Sequence, residues 1–332
     1  MEIIFGLSFI LIAGIFQGTF VLPMTLTKKW EWENTWMTFS VFGMVLLNWL
    51  LSWLFIPNLL SVYSAVPVND LMILIIFGLG WGIGAVLFGI AMDKLGMALG
   101  YPIIMGLIAS LGALAPMIIF HAPEIVTMKG ILLLLATVVV IIGIIICTRA
   151  HSLKQKMQNN KTRNSSAIIL IAIAAGVLSC FPNVGVAFGS SVITEALKAG
   201  ASGFMAGNAV WALFFTMGFI PNGIYTIYLM KKNKSFHRFT QAGLKNYILG
   251  FEMAIMWIGS FYFYGVGAAK IGGWGLIIGW PLFISISIVI GNLWGIRNGE
   301  WKGAPEAARK KLNLGLVVIF IAMIVLGFCN IF

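Results

Sequence analysis

The sequence predicts an all-α integral membrane protein with ten transmembrane helices arranged as two inverted five-helix repeats. Three observations lead there: the scarcity of charge, the one-sided placement of Lys and Arg, and a likeness between two segments an odd number of crossings apart. Of 332 residues, 60% are apolar and 9% charged, and the mean hydropathy is +1.01. A soluble domain carries about 25% charged residues, so this chain cannot clothe a water-facing surface. The composition excludes a soluble enzyme, a nucleic-acid-binding protein and a secreted disulfide scaffold. A formal charge of +11 would point to an anionic partner in a soluble chain, but in a membrane protein it reports basic cytoplasmic connections. Cys147, Cys180 and Cys329 lie far apart in apolar runs without metal-ligand spacing. They read as small core residues, and no metal or other cofactor is expected.

Ten apolar runs separate along the chain: 3–23, 36–56, 71–92, 97–120, 130–148, 167–189, 204–230, 246–266, 274–296 and 313–331. Each is long enough to cross a hydrocarbon core of about 30 Å as a helix. Met1-Glu2-Ile3-Ile4 has no basic residue and no evident cleavage site follows, so the first run is expected to be retained. The 38 glycines, among them Gly14, Gly18, Gly78, Gly80, Gly82 and Gly84, suit close approach of helix backbones in lipid. Connections 1–2, 3–4, 5–6, 7–8 and 9–10 hold 18 of the 21 Lys and Arg, leaving Lys129, Lys198 and Lys270 on the other side. By the positive-inside rule the basic connections face the cytoplasm. The expectation is a multi-pass protein of the bacterial inner membrane, surrounded by lipid, with both termini on the extracytoplasmic side.

Phe88-Gly89-Ile90-Ala91-Met92-Asp93-Lys94-Leu95-Gly96 aligns with Tyr264-Gly265-Val266-Gly267-Ala268-Ala269-Lys270-Ile271-Gly272 at an offset of 176, and Trp81 falls on Trp257 at the same offset. Ala13-Gly14-Ile15 echoes Ala175-Gly176-Val177. Run 3 therefore matches run 8. Five crossings separate the two halves, so they are inverted, and Lys94 and its counterpart Lys270 fall on opposite sides. Residues 1–150 form the first repeat, 151–166 a basic cytoplasmic linker and 167–332 the second repeat. Inverted repeats enclosing a site are the architecture of alternating-access transporters.

Lys28-Lys29-Trp30-Glu31-Trp32-Glu33-Asn34-Thr35-Trp36 resembles the basic-aromatic first loop of the bacterial L-rhamnose–proton symporters of the drug/metabolite transporter superfamily. Trp81-Gly82-Ile83-Gly84, Phe88-Gly89, Leu95-Gly96-Met97, Thr148-Arg149-Ala150, Met256-Trp257 and Glu300-Trp301 match in the same order along the chain. The resemblance implies ten helices in two inverted halves and uptake of a deoxy sugar with protons, L-rhamnose or a related monosaccharide. Sugars need amide or carboxyl groups for their hydroxyls and aromatic faces for their C–H side. Gln17, Asn183 and Asn208 with Trp81, Trp211, Trp257 and Trp280 are the candidate substrate-binding residues. Asn48 and Asn222 lie at similar depth, and Asn208 and Trp211 share a helix face. Trp30, Trp32, Trp36, Trp49 and Trp53 read as interface anchors.

Glu252 is the one carboxyl clearly inside a run, and a charge there faces a cavity or is protonated. It is the first candidate for proton coupling. Glu195, in a helix continuing past the Pro182 break or in an outer loop, is the second. Asp93 beside Lys94 reads as an interfacial charge pair. Two other functions stay open: a drug or metabolite exporter, for which Glu252 would be the membrane carboxylate, and a membrane-embedded enzyme. An enzyme should gather His, Asp or Glu at the membrane face. His121, His151 and His237 lie in connections and form no such cluster, so no catalytic residue is assigned. The sequence leaves the oligomeric state open.

Overall fold

The structure is a computed structural model that describes residues 2–156, 166–299 and 301–328. Side chains of residues 93, 95–102, 155–156 and 326–328 lie outside the described set as well. Lys161, Arg163, Glu300 and Cys329, and the side chains of Asp93 and Lys156, therefore fall outside it. The described residues are helical, with no strand among them. Among the described residues, nine helical segments are long and apolar enough to cross a membrane: α1 Glu2–Leu26, α2 Trp32–Phe55, α3 Val68–Met92, α4 Ile103–Phe120, α5 Met128–Lys154, α6 Ser166–Phe188, α7 Ala206–Lys232, α8 Leu244–Ile271 and α9 Gly275–Arg297. A further helix, α10, spans Glu306–Phe328 and overlaps the last apolar run.

Local chemistry sets the breaks. Pro182 cannot donate a backbone hydrogen bond, and α6 is interrupted at Cys180, so that Pro182 sits in the first turn of the segment Phe181–Phe188. Glu31 and Asn34 form a capping box that starts α2, with the Glu31 amide donating to Asn34 Oδ1 at 3.1 Å. Gly272 closes α8 with φ +88°, which only glycine adopts freely.

The connection expected at Asp93–Gly96 is itself helical, so α3 and α4 belong to one helical stretch, Val68–Phe120. This stretch is nevertheless folded back on itself. Gly84 packs against Leu178, while Leu107 packs against Gly176, only two residues away on α6. A straight helix would hold Gly84 and Leu107 about 34 Å apart. The chain therefore reverses between them.

The molecule divides into two compact units that each draw on both halves of the sequence. The first is Met1–Ile83 with Gly185–Lys270, and the second is Gly84–Val184 with Ile271–Phe332. In the first unit α1 and α8 run antiparallel, with Gly267 against Gly6 and Ile10, and Gln17 beside Ser260. Helices α2 and α8 run parallel, Gly250 meeting Thr38 and Gly43 meeting Ala254. Helices α2 and α7 are antiparallel, through Trp36 to Asn222 and Asn48 to Trp211. Helices α3 and α7 are parallel, Gly78 lying on Phe214 and Gly82 on Gly218. In the second unit α4 and α6 are parallel, and α5 and α10 antiparallel, with Gly143 on Ile319 and Gly315 on Cys147.

These approaches are too close for side chains. A Cβ at Gly82 would meet the Gly218 carbonyl and the Pro221 ring. Gly82→Leu should destabilise the first unit by about 1–3 kcal/mol or more through overpacking. Thermal unfolding of the detergent-solubilised protein reads this, and an unchanged midpoint would disprove the contact.

Candidate functional site

The first unit carries an aromatic cluster built on three helices. Trp211 and Phe215 lie one turn apart on α7, as do Trp257 and Phe261 on α8, and Trp81 comes from α3. Trp81 and Trp257 stack with centroids 5.7 Å apart, and Trp211 stacks on Phe215 at 5.0 Å. Phe215 bridges the two pairs, 4.6 Å from Trp257 and 5.1 Å from Trp81. Phe39 of α2 meets Trp257 edge-on at 5.5 Å. Gly218 backs the Trp81 ring, which is why the ring can enter between α3 and α7. Trp211 is fully buried, Trp257 is 3% exposed and Trp81 8%.

Polar groups ring this cluster. Asn208 Oδ1 accepts the Trp211 indole N–H at 3.0 Å, confirming their shared face, and its amide oxygen occupies the space that the missing side chain of Gly265 leaves. Gln17 Oε1 accepts from Ser260 Oγ at 2.8 Å, one turn from Trp257. Asn48 donates to the Trp211 carbonyl at 2.8 Å, while its Oδ1 is sealed in with no partner among the described residues. Asn222 accepts from Trp36 Nε1 at 3.3 Å and donates to the Gly218 carbonyl.

The indole donors divide sharply. Trp30, Trp36, Trp49, Trp211 and Trp280 each donate to a protein acceptor. Those of Trp81 and Trp257, like that of the buried Trp301, have no partner among the described residues, and neither does Gln17 Nε2. This corrects the interface reading for three tryptophans: Trp30 bonds the Arg238 carbonyl, Trp36 Asn222 and Trp49 Thr216, so they tie helices and connections together within the unit. Trp32 and Trp53 are exposed, as anchors should be.

Of the seven candidate substrate-binding residues, Gln17, Trp81, Asn208, Trp211 and Trp257 gather in the first unit. Asn183 and Trp280 lie in the second. There Asn183 Nδ2 donates to the Gly112 and Leu276 carbonyls at 2.7 and 3.0 Å, and Trp280 Nε1 to the Ile108 carbonyl at 2.9 Å. Both fasten α4, where Gly112 leaves room for the Trp280 ring. Phe215, Phe261 and Ser260 escaped the sequence reading, although each stands three or four residues from a named tryptophan, the helical spacing that would have revealed them.

The acids sit differently from expectation. Glu252 does not turn into the unit: Met253, Ala254 and Trp257 take the inward face, and Glu252 shares an exposed stripe with Ile248, Phe251 and Ile255. The α-helical period decides this, since the inward positions on α8 recur at Gly250, Ala254, Trp257 and Phe261. Glu195 lies on a short helix, Ser190–Lys198, and pairs with Lys198 at 2.6 Å. His151 belongs to the last turns of α5, its ring 4.8 Å from Trp301. Outside the spans, His121 Nδ1 lies 2.9 Å from Glu124 Oε1, and that hydrogen bond, reinforced by nearby positive charge, holds the Glu124 carboxyl below its ordinary range. No group of His, Cys, Asp and Glu among the described residues could hold a metal ion.

Comparison with known proteins decides the family. The model of the L-rhamnose-proton symport protein matches residues 1–331. The chain belongs to this family of symporters. Two relatives, from Shigella dysenteriae serotype 1 (strain Sd197) and Escherichia coli O1:K1, are each named L-rhamnose-proton symporter. Each is 28% identical to this chain, over 97% of the chain and 96% of the relative. The family is one of multi-pass membrane transporters, and in this chain Trp30 and Glu31 form contacts within the first unit.

Because Trp257 is packed on four rings, its loss leaves a cavity as well as a missing donor. Trp257→Ala should cost about 3–5 kcal/mol of stability, and Trp257→Phe clearly less. Chemical or thermal unfolding checks the order, and equal losses would show that the ring does not pack as described.

Proposed function

We propose that this chain is an inner-membrane importer of L-rhamnose or a closely related deoxy sugar, driven by protons through alternating access. One observation carries the sugar site: Trp81 and Trp257 stack together, each with an indole N–H that no described residue accepts. Gln17 Nε2 adds a third donor, held near by the contact of its oxygen with Ser260. Donors and aromatic faces together suit a neutral polyol with one apolar side. Asn208 positions Trp211. The facing rings cover one another here, so binding requires Trp81 and Trp257 to part and admit the sugar.

Ten crossings in two inverted halves underlie this reading. Helices separated by an even number of crossings should be parallel, and by an odd number antiparallel. Counting α3 and α4 separately, all six neighbour directions within the units obey that rule; counting them as one crossing breaks it for α1 and α8. The contacts also repeat. Gly78 of α3 on Phe214 of α7 corresponds to Ala254 of α8 on Gly43 of α2, at offsets of 176 and 171. Gln17 beside Ser260 corresponds to Ser179 beside Gly84, and the α5–α10 pair Gly143 with Ile319 returns as Gly315 with Cys147. Trp81 and Trp257, equivalent in the repeat, meet each other, as residues next to a two-fold axis do.

Transport by vesicles containing the intact chain is the test. A pH gradient, acid outside, should accumulate labelled L-rhamnose, and a protonophore should abolish it. A proton crossing about 100 mV supplies about 2.3 kcal/mol, enough to concentrate a neutral sugar roughly 50-fold. Trp81→Phe, Trp257→Phe and Gln17→Ala should each weaken sugar binding about three- to tenfold, one hydrogen bond apiece. Unchanged affinity in all three would move the site elsewhere.

Orientation follows from the basic connections. In intact cells Lys234→Cys should be shielded from an impermeant thiol reagent and Pro67→Cys labelled. The reverse pattern would overturn the topology.

A further inference from the structure

Among the carboxyls whose side chains are described, Glu33 alone is buried, with 3% exposure. It stands in the first turn of α2, at the lysine-rich end of the spans. Its Oε1 accepts two hydrogen bonds from the connection after α7, from Ser235 Oγ at 2.6 Å and Asn233 Nδ2 at 3.1 Å. Neighbouring bonds join the same segments. Asn34 Nδ2 donates to the Ser235 carbonyl at 3.0 Å, and Asn246, at the start of α8, donates to the Lys28 carbonyl at 2.7 Å. The connection between α1 and α2 and the connection between α7 and α8 are thus fastened together within the first unit.

Most of these fastenings use backbone, amide and indole groups, which do not titrate near neutral pH. Glu33 is the one carboxyl among them, and its hydrogen-bonding roles change when it takes a proton. As a carboxylate it offers acceptors to both donors; with a proton on one oxygen it must turn a donor toward a donor or give up a bond. Arg238 is the charged neighbour of Glu33, and the segments joined there also carry Lys28, Lys29 and Glu31, Lys231, Lys232 and Lys234, His237, and Lys245. Arg238 is engaged with Glu31 at 2.8 Å and with the Lys29 carbonyl, so it braces the fastening beside Glu33. Glu33 also reads directly into the aromatic cluster. Phe39, which touches Trp257, lies six residues on along α2, about 9 Å away.

We propose that Glu33 is the proton-linked positioning residue of the transport cycle: as a carboxylate it pins the connection after α7 to the start of α2, and on taking up a proton it releases that pin. The assignment rests on the symport reading above. The step adds one proton to a carboxylate oxygen in the state open to the acidic outer side and returns it to cytoplasmic water when the pin re-forms in the state open inward.

The intact chain in proteoliposomes tests it, as wild type, Glu33→Gln, Glu33→Asp and the pair Asn233→Ala with Ser235→Ala. L-Rhamnose counterflow without a gradient is followed against pH, gradient-driven accumulation is measured, and hydrogen exchange across residues 233–240 is compared at one pH. Glu33→Gln should retain counterflow, lose its pH dependence and fail to accumulate sugar. Glu33→Asp should restore the dependence. Removing both donors should shift the pH profile upward, because a carboxylate stripped of its donors takes a proton more readily. Exchange across 233–240 should quicken about tenfold in Glu33→Gln, the loss of one charge-assisted bond. Wild-type accumulation by Glu33→Gln, or exchange unchanged in both Glu33→Gln and the donor pair, would overturn the proposal. A wild-type chain unable to accumulate L-rhamnose would defeat the symport reading instead, and the exchange comparison, which needs no sugar, would still decide the pin.

Discussion

In hydrocarbon there is no water to drive helices together, so association rests on how closely their backbones can approach. Everything else in the first unit depends on that approach. Gly78 and Gly82 bring α3 onto the carbonyls of α7, and Gly43 and Gly250 bring α2 onto α8. Only at that separation do rings from three helices reach a common centre, and only with a glycine at 218 does the Trp81 indole find space. The same rule holds in the second unit, where Gly143 and Gly315 let α5 and α10 meet. The glycine content is thus a packing device, and the aromatic cluster is its product.

Against that packed background, unsatisfied polar groups carry information. A buried donor without a partner costs free energy, so native interiors pair nearly all of them. Five indole groups obey, each donating to a carbonyl, amide or hydroxyl oxygen. Trp81 and Trp257, which stack on each other, have no such acceptor among the described residues, and neither has Trp301. Occupied donors at Trp211 and Trp280 fix structure; in the reading proposed above, the open ones at the stacked pair meet a substrate hydroxyl. The distinction separates residues that hold the scaffold from residues that can change partners during transport.

Much of this was legible from the sequence, and the failures have physical reasons. Apolar run length located the spans because a bilayer imposes one dimension on every crossing. Trp81 and Trp257 drew notice through a fixed offset, and the structure stacks their rings; Asn208 with Trp211 was visible as a three-residue spacing. The inward or outward direction of a side chain was not legible where the whole helix is apolar. Glu252 looked interior because its neighbours in sequence are apolar, yet on α8 both lipid and protein faces are apolar and only the small residues at 250 and 254 mark the packed side. Glu33 was hidden for the opposite reason. It sits among lysines and tryptophans at a span end, and its burial comes from Ser235, some two hundred residues away.

That location bears on how a proton and a sugar can be linked at all. A carboxylate at mid-membrane would be costly in every state in which it is ionised. A carboxylate at the end of α2 can be ionised at tolerable cost while the protein supplies two hydrogen bonds, and it loses them when the connection moves. Coupling needs only that this change be felt at the sugar site, and the connection is short. Helix α2 carries Glu33 and then Phe39; α7 carries Trp211 and Phe215 and ends at Lys232, just before Asn233; α8 begins beside Asn246 and carries Trp257 and Phe261. The three helices that the polar fastening holds at one end are those whose rings, with Trp81, close the cluster further in. Rigid helices that share both ends of such a path cannot shift at one without shifting at the other. In the mechanism proposed above, proton uptake at Glu33 and separation of Trp257 from Trp81 would be two readings of one movement.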